Sequence, residues 1–385
     1  MYNAYVYRTL MKELKNRFFM GIPNEIQNEE KQLEEYKEKI MRPIQLNVVK
    51  NLRSWMKMYW EEDFLGEEGV QKQLETWVQQ MQTESKKYSW YGLLAETVGN
   101  EWKRLKKHGS KPRVVEKDYL AVEIPKKFSF QNLSPDELAD QITLMDFRIF
   151  RKIGARECIG QAWKKKDNRV KSPNILAMIQ QFNNLSTFVQ IHILREKTLR
   201  DRVKAIKRII KMGEQFRASR NYNSLCALFG ALNCQPIHRL KLAWEKVPEK
   251  QKQVFEEFMV IFSRDFNHRN LRQLFRNAPA PCIPHIAIFL QDLVLIDDGH
   301  EDKKEVENLG GRKMVNFSKS QKMADRIKNI QMYQQHPYTD IKENEVVQRI
   351  LLEEFAKLKD VTEEDIWDMS TEVKKADERD KARLF

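Results

Sequence analysis

The sequence predicts an all-α protein. Among 385 residues there are only 13 Gly and 12 Pro, so few turn-makers punctuate the chain. Apolar residues recur at spacings of three and four, the helical period, and no convincing run of alternating apolar and polar residues bounded by turn signals is found. A hydrophobic content of 41%, with 8 Trp and 20 Phe, gives the chain enough apolar material for substantial cores. At this length about two or three domains are expected.

In the first block, residues 1–105, Pro43 is placed at a helix start. Ile44, Val48, Leu52, Trp55 and Tyr59 then share one face of the segment PIQLNVVKNLRSWMKMYW. Leu74, Trp77, Val78 and Met81 follow the same logic. From 106 to 128 the character changes, and HGSKPR, scattered charges and Pro125 read as a linker. The second block, residues 129–372, contains SPDEL, where Ser134 is an N-cap, Pro135 takes the first helical position and Glu137 completes a capping box. A long helix must follow. Further helices are predicted over 174–195, 200–219, 222–232, 248–276, 285–297, 315–335, 344–358 and 362–375, and residues 373–385 read as a charged tail.

The helix predicted over 285–297 breaks a local rule. Ile286, Ile288, Phe289, Leu290, Leu293, Val294, Leu295 and Ile296 make it apolar almost all round, as in a deeply packed helix, yet it runs into Asp297 and Asp298 before Gly299. Two carboxylates there face the negative end of the helix dipole, at a cost of about 0.3–1 kcal/mol each. Such violations gather at functional sites. Two solvated acids at a loop edge are the plainer alternative.

Composition removes several function classes. The net charge of +13 invites a nucleic-acid reading, and WKRLKKHGSKPR (102–113) and WKKK (163–166) are the densest basic clusters. The cations are nevertheless interleaved with 55 acidic residues and no nucleic-acid-binding motif is found, so no nucleic-acid partner is expected. A weak association with anionic membranes fits the charge better. No apolar run approaches the roughly 18 residues of a membrane span, and MYNAYVYRTL lacks a signal-peptide core. A cytoplasmic protein, recruited at most to the plasma membrane, is the expectation. Cys158, Cys226, Cys234 and Cys282 stand at irregular spacings with no CxxC pair and are expected to be reduced and buried. The histidines form no metal-ligand spacing, and Walker, GxGxxG and GxSxG motifs are missing. Neither metal, cofactor nor covalent catalysis is expected, and a large all-α chain of this kind works by binding another macromolecule.

Five segments, taken together, resemble the Ras-type guanine-nucleotide exchange factor family: LADQITLMDFRIFRKI, SPNILAMIQQFNNLSTFV, RNYNSLCALFGALNCQPIHRLKLAWEKV, PCIPHIAIFLQDLVLIDDG and VNFSKSQKMADRIKNIQMYQQHPY. They stand in the family's order over roughly residues 128–370, close to a whole catalytic domain. RPIQLNVVKNLRSWMKMYWEEDF and, more weakly, YNAYVYRTLMKELKNRF are similar to the family's N-terminal Ras exchanger motif domain, whose usual first helix is shortened or missing here.

The resemblance implies a mechanism. In family members a helical hairpin pries switch I of a small GTPase from its nucleotide while other surfaces grip switch II. Here that hairpin is expected from about Phe289 to about Ile327, turning through GHEDKKEVENLGGRK. A GTPase holds its nucleotide through a phosphate-cradling P-loop and Mg²⁺. By alignment to the family motif Val294 takes the position of the apolar wedge that occludes the metal site, and Asp298 that of the carboxylate competing with phosphate. They are i and i+4, on one helix face. The family acid is often glutamate, so Asp298 reaches about one methylene less and a bridging water is one way to span the gap. An ordinary core valine is the alternative for Val294. The resemblance also implies GTPase contacts from Gln180, Cys226, Asn233, His238, Gln291 and Asp292, with Gln180 and His238 bearing on which GTPase is chosen. A capping role at a helix C-terminus is an alternative for Asn233 that does not exclude contact.

The implied function is acceleration of GDP release from a Ras-family GTPase, Ras or Rap ahead of Ral, by an activator that is not itself a covalent catalyst. The rival from another class is a scaffold that binds the GTPase without exchange activity. A basic nucleic-acid-binding protein, the third class, would show steep salt dependence on generic DNA or RNA.

Overall fold

The structure, a computed structural model, describes residues 2–109, 118–125, 133–165, 171–306 and 312–382. Two compact units are found, Met1–Lys117 and Asp118–Phe385.

The first unit holds α1 (Tyr2–Phe18), α2 (Glu30–Tyr36), α3 (Arg42–Tyr59), α4 (Glu68–Glu84) and α5 (Trp90–His108). Its core is aromatic, with Phe18, Trp60, Phe64, Trp77 and Tyr91 buried around Leu52 and Leu74. One polar residue organises it. The amide of buried Gln45 donates to the Phe18 carbonyl (2.9 Å) and the Tyr91 hydroxyl (2.7 Å), while its oxygen accepts from the Trp90 indole (2.9 Å). Burying a Gln is tolerable only when its amide is satisfied in this way. Pro43 stands in the first turn of α3, and helical backbone leads into it without a break from Glu30. A π turn at Lys37–Met41 precedes the proline, and that wider turn accommodates its missing N–H. Of the expected linker, residues 106–108 complete α5, Tyr119–Ala121 form a 3₁₀ turn, and 110–117 and 126–128 lie outside the described residues.

The second unit is also helical. It contains α6 (Pro135–Phe150), α7 (Pro173–Leu194), α8 (Leu199–Ala218), α9 (Tyr222–Asn233), α10 (Gln235–His238), α11 (Lys241–Glu245), α12 (Glu249–Ile261), α13 (Asp265–Asn277) and α14 (Ile286–Asp298). Strands β1 (Lys303–Val306) and β2 (Arg312–Val315) lead into α15 (Phe317–Gln334), α16 (Glu345–Ala356) and α17 (Glu363–Ala382). The core centres on α7, which packs against α9, α6, α8, α16 and α17 and buries Ile175, Met178, Leu185, Val189 and Ile193. Ser134 caps α6 by accepting from the Glu137 N–H (3.0 Å). The other half of the expected capping box is diverted, since the Glu137 carboxylate accepts from Asn344, the N-cap of α16 (3.0 Å).

The all-α expectation holds, with two helix boundaries to correct and one short hairpin to add. The helix predicted over 248–276 is two helices, broken at 262–264, and Phe266, Asn267 and His268 within α13 have left-handed backbone (φ 48°, 58° and 58°). The Ser263 hydroxyl accepts from the Asp265 N–H (3.1 Å) and satisfies one donor at the restart. The charged tail is no tail through residue 382: Val373 packs into the core and Asp377, buried, pairs with buried Arg202, so α17 continues to Ala382. Finally, β1 and β2 form an antiparallel hairpin with Lys303 opposite Val315 and Lys304 opposite Met314. Sequences as charged as KKEV and RKMV carry no strand alternation to read. Among the described residues no helix is long and apolar enough to cross a membrane.

Candidate functional site

Helices α14 and α15 form an antiparallel pair. Contacts climb one helix as they descend the other: Phe289 meets Tyr333, Asp292 meets Arg326, and Asp297 meets Lys319. The strands join their ends, so the predicted hairpin is present; residues 307–311 of its turn lie outside the described residues. Its root is fixed by Asp292, which accepts two hydrogen bonds from the Arg272 guanidinium on α13 (2.7 and 2.8 Å), with Arg326 Nε at 3.7 Å. Such a planar bidentate pair sets orientation as well as distance.

The acids of the last turn have different partners. Asp297 sits 2.8 Å from Lys319 Nζ, and the same ammonium donates to the Asp297 carbonyl (3.0 Å). Lys319 thus brings a cation to the dipole's negative end and satisfies a terminal carbonyl. Its hydrogen bond, helped by one from Gln161, holds the Asp297 carboxyl below the usual range, and Asp297 in turn raises the Lys319 ammonium. Asp298 is exposed and accepts from Gln161 Nε2 at 2.7 Å. Gln161 has a left-handed backbone (φ 54°) that a non-glycine residue rarely adopts, directly after Gly160 (φ 63°). Its amide reaches both acids, so a strained turn supplies the donor that orients Asp298.

The sequence-predicted residues fall into three groups. Val294, one turn before Asp298, is half-buried against the core, and its neighbour Leu295 is 57% exposed. Gln291 is exposed on the same helix. Asp292 is buried and turned to its own domain, so its partner here is Arg272 rather than an outside molecule. Gln180, on α7, is exposed and donates to Asn184 (2.7 Å). Cys226 is half-buried on α9, where desolvation pushes its thiol up to about 12. Cys234 is half-buried as well, while Cys158 and Cys282 are buried, and all four are free. Asn233 ends α9 and His238 ends α10, both exposed. Asn233 lies seven residues, or about 10 Å along the α9 axis, beyond Cys226.

His285, missed by the sequence reading, ties these surfaces together. It immediately precedes α14, lies against the Phe182 ring of α7 (centroids 5.5 Å), and places Nδ1 3.4 Å from Asn223 Oδ1 of α9. Burial, then the charge of His268, pushes its pKa down to about 4, which leaves the ring uncharged near neutrality. Arg272, Gln161 and Lys319 were missed too. Only Gly160 before Gln161 gave a hint, whereas pairs formed across the fold leave no local pattern. Among the described residues no group of His, Cys, Asp and Glu could hold a metal ion.

Residues 137–321 match the RasGEF domain family. The chain is 34% identical over 210 residues to Ras guanine nucleotide exchange factor P of Dictyostelium discoideum, covering 54% of this chain and 14% of that protein. It is 38% identical over 175 residues to Ras guanine nucleotide exchange factor E of the same organism, covering 45% and 17%. With Ras-specific guanine nucleotide-releasing factor 1 of Mus musculus it shares 31% over 242 residues, covering 63% and 19%. The chain therefore spans less than a fifth of the length of these relatives. The matched span runs from α6 into α15 and includes every helix that carries Gln180, Cys226, Asn233, His238, Val294 and Asp298, so residues 137–321 of this chain form a RasGEF domain.

Proposed function

We propose that this chain accelerates release of GDP from a Ras-family small GTPase, Ras or Rap ahead of Ral, by wedging the α14–α15 hairpin against switch I. Val294 is the wedge, Leu295 adds exposed apolar surface beside it, and Asp298 competes with phosphate for the P-loop. Asn233, His238, Gln180, Cys226 and Gln291 contact the GTPase, and Asp292 acts as a positioning residue at the hairpin root. Residues 1–105 serve as the Ras exchanger motif domain and 129–372, extended by α17, as the exchange domain. The protein works in the cytoplasm and uses no covalent chemistry.

One observation carries the reading. The helix that should disturb the nucleotide site ends in two acids, of which one is paired with Lys319 and the other, Asp298, is exposed yet oriented by Gln161. Asp297 accepts a longer bond from the same amide (3.1 Å) but is matched by the Lys319 cation, so Asp298 is the carboxylate of the pair that is aimed without being paired to that cation. Because coupling in binding is reciprocal, the factor by which the protein weakens nucleotide binding is also the factor by which nucleotide weakens the complex. Stable complex should therefore form with nucleotide-free GTPase and dissolve when GDP or GTP is added.

The test is release of labelled GDP from a panel of purified Ras, Rap, Ral and Rho GTPases, with thermal unfolding measured in parallel. Asp298→Ala and Leu295→Ala should slow release with little change in unfolding midpoint, while Val294→Asp should lose activity and some stability together, since Val294 is half-buried. Full exchange by Asp298→Ala, or equal co-elution with loaded and empty GTPase, would replace this reading with that of a binding scaffold.

A further inference from the structure

Behind the hairpin, between α13, α14 and α15, lies a cavity of about 240 Å³. Phe275, Phe289 and Tyr333 form an aromatic lining, with Phe275 and Phe289 stacked at 6.0 Å and Tyr333 edge-on to Phe289 at 6.2 Å. The Tyr333 hydroxyl is occupied, donating to the Phe275 carbonyl (2.8 Å). Three guanidinium groups, Arg272, Arg276 and Arg326, also line the cavity, against the single carboxylate of Asp292.

The charges do not balance. Arg272 already spends its donors on Asp292 and on the Asn267 carbonyl (2.8 Å). Arg326 touches Asp292 only at 3.7 Å, and Arg276 has no acidic partner among the described residues. Two guanidinium groups, one on α13 and one on α15, therefore flank an aromatic cavity with about two positive charges in excess. Guanidinium forks match phosphate oxygens, and a phosphomonoester carries about −1.5 to −2 charges near neutrality. For scale, an apolar cavity of about 150 Å³ holds one benzene.

We infer that this cavity binds a small organic phosphomonoester, its ring or other flat apolar body on Phe275, Phe289 and Tyr333 and its phosphate between Arg276 and Arg326. A ligand so placed ties α13 to α15 across the root of α14. Its effect on nucleotide exchange rests on the hairpin mechanism proposed above, whereas its binding does not.

The test is calorimetric titration of the full chain with phenyl phosphate, inorganic phosphate and benzyl alcohol. Phenyl phosphate should bind saturably and more tightly than either of the others. Arg276→Gln and Arg326→Gln should each weaken it about tenfold or more, as expected for loss of a charge-assisted hydrogen bond, with unchanged unfolding midpoints. Lys207→Gln, an exposed cation on α8, should leave it unaltered. Absence of saturable binding, equal weakening by Lys207→Gln, or inorganic phosphate binding as tightly as phenyl phosphate would each overturn the assignment. Saturable binding of phenyl phosphate that leaves GDP release unchanged would count against its coupling to the hairpin mechanism and leave the cavity assignment standing.

Discussion

The ground beneath α9 and the root of the hairpin each bury a carboxylate, and the two are treated in opposite ways. Asp146 on α6 is 1% exposed and one of its oxygens accepts from two neutral donors, the Ser224 hydroxyl and the Asn221 amide (2.9 Å). Burial dominates there and pushes its pKa up to about 6. Asp292, 9% exposed, instead meets the fork of Arg272, with a second guanidinium close by. Uncharged donors tie α6 to α9 through that carboxyl with no second buried ion to strand, which suits a platform that must stay still. A charged fork between two helices fixes an angle while it is intact and leaves an unpaired buried charge once it is broken, which suits the base of a lever.

The strongest way to break this contrast is Asp292→Ala. Removing one partner strands the Arg272 guanidinium, whose side chain is 18% exposed. Losses of about 3–5 kcal/mol are typical of that situation. Urea unfolding should show a lower midpoint, and GDP release should slow because the hairpin loses its set angle. An unchanged midpoint would mean that the fork does not hold the root.

Asp146→Asn sharpens the other side through pH. The folded-state pKa of Asp146 lies above the ordinary value of 3.8, so between about 4 and 6 the folded protein binds more protons than the unfolded chain. Stability from this group is therefore greatest at low pH and falls as pH rises through about 6, by up to about 3 kcal/mol. In Asp146→Asn that downward slope should vanish from chemical unfolding measured between pH 4.5 and 7.5. A slope that survives would assign the titration to another group.

The sequence spoke clearly where the physics is local. Ser134 with Pro135 announced α6, and the apolar run from Ile286 announced α14 together with the acids that end it. The break at 262–264 was hidden because Phe262, Leu271 and Phe275 keep a helical apolar pattern across it, and all three are buried. The tail was misjudged for the opposite reason: ten charged-rich residues look solvated until Arg202, 175 positions earlier, supplies a buried partner for Asp377. At the site, Val294 and Asp298 came from alignment with a motif, whereas Arg272 holds Asp292, Lys319 holds Asp297 and Gln161 holds Asp298 from other elements. Side chains that position a functional residue are set by tertiary geometry, which leaves no period in the sequence to find.

The finest division falls between adjacent residues at the end of α14, and its expected effect is the smallest. Asp297 has its pKa lowered, chiefly by the Lys319 hydrogen bond, so its sign is opposite to that of Asp146. Its stabilising contribution is present above the ordinary carboxylate range and is lost as pH falls through the lowered folded-state value. Because the Asp297 side chain is still 25% exposed, solvent screens the pair with Lys319, and the contribution should be under about 1 kcal/mol. Asp298 lacks the ammonium and keeps only the Gln161 amide, so Asp298→Ala should move stability by no more than about 0.5 kcal/mol in either direction. Unfolding curves at pH 3 and pH 7 separate the two: Asp297→Asn should lose stability at pH 7 and little at pH 3, while Asp298→Ala should differ little from the parent at both. If Asp298→Ala proves the more damaging at pH 7, then the outer acid is the structural one, and the partners of the two carboxylates have been assigned the wrong way round.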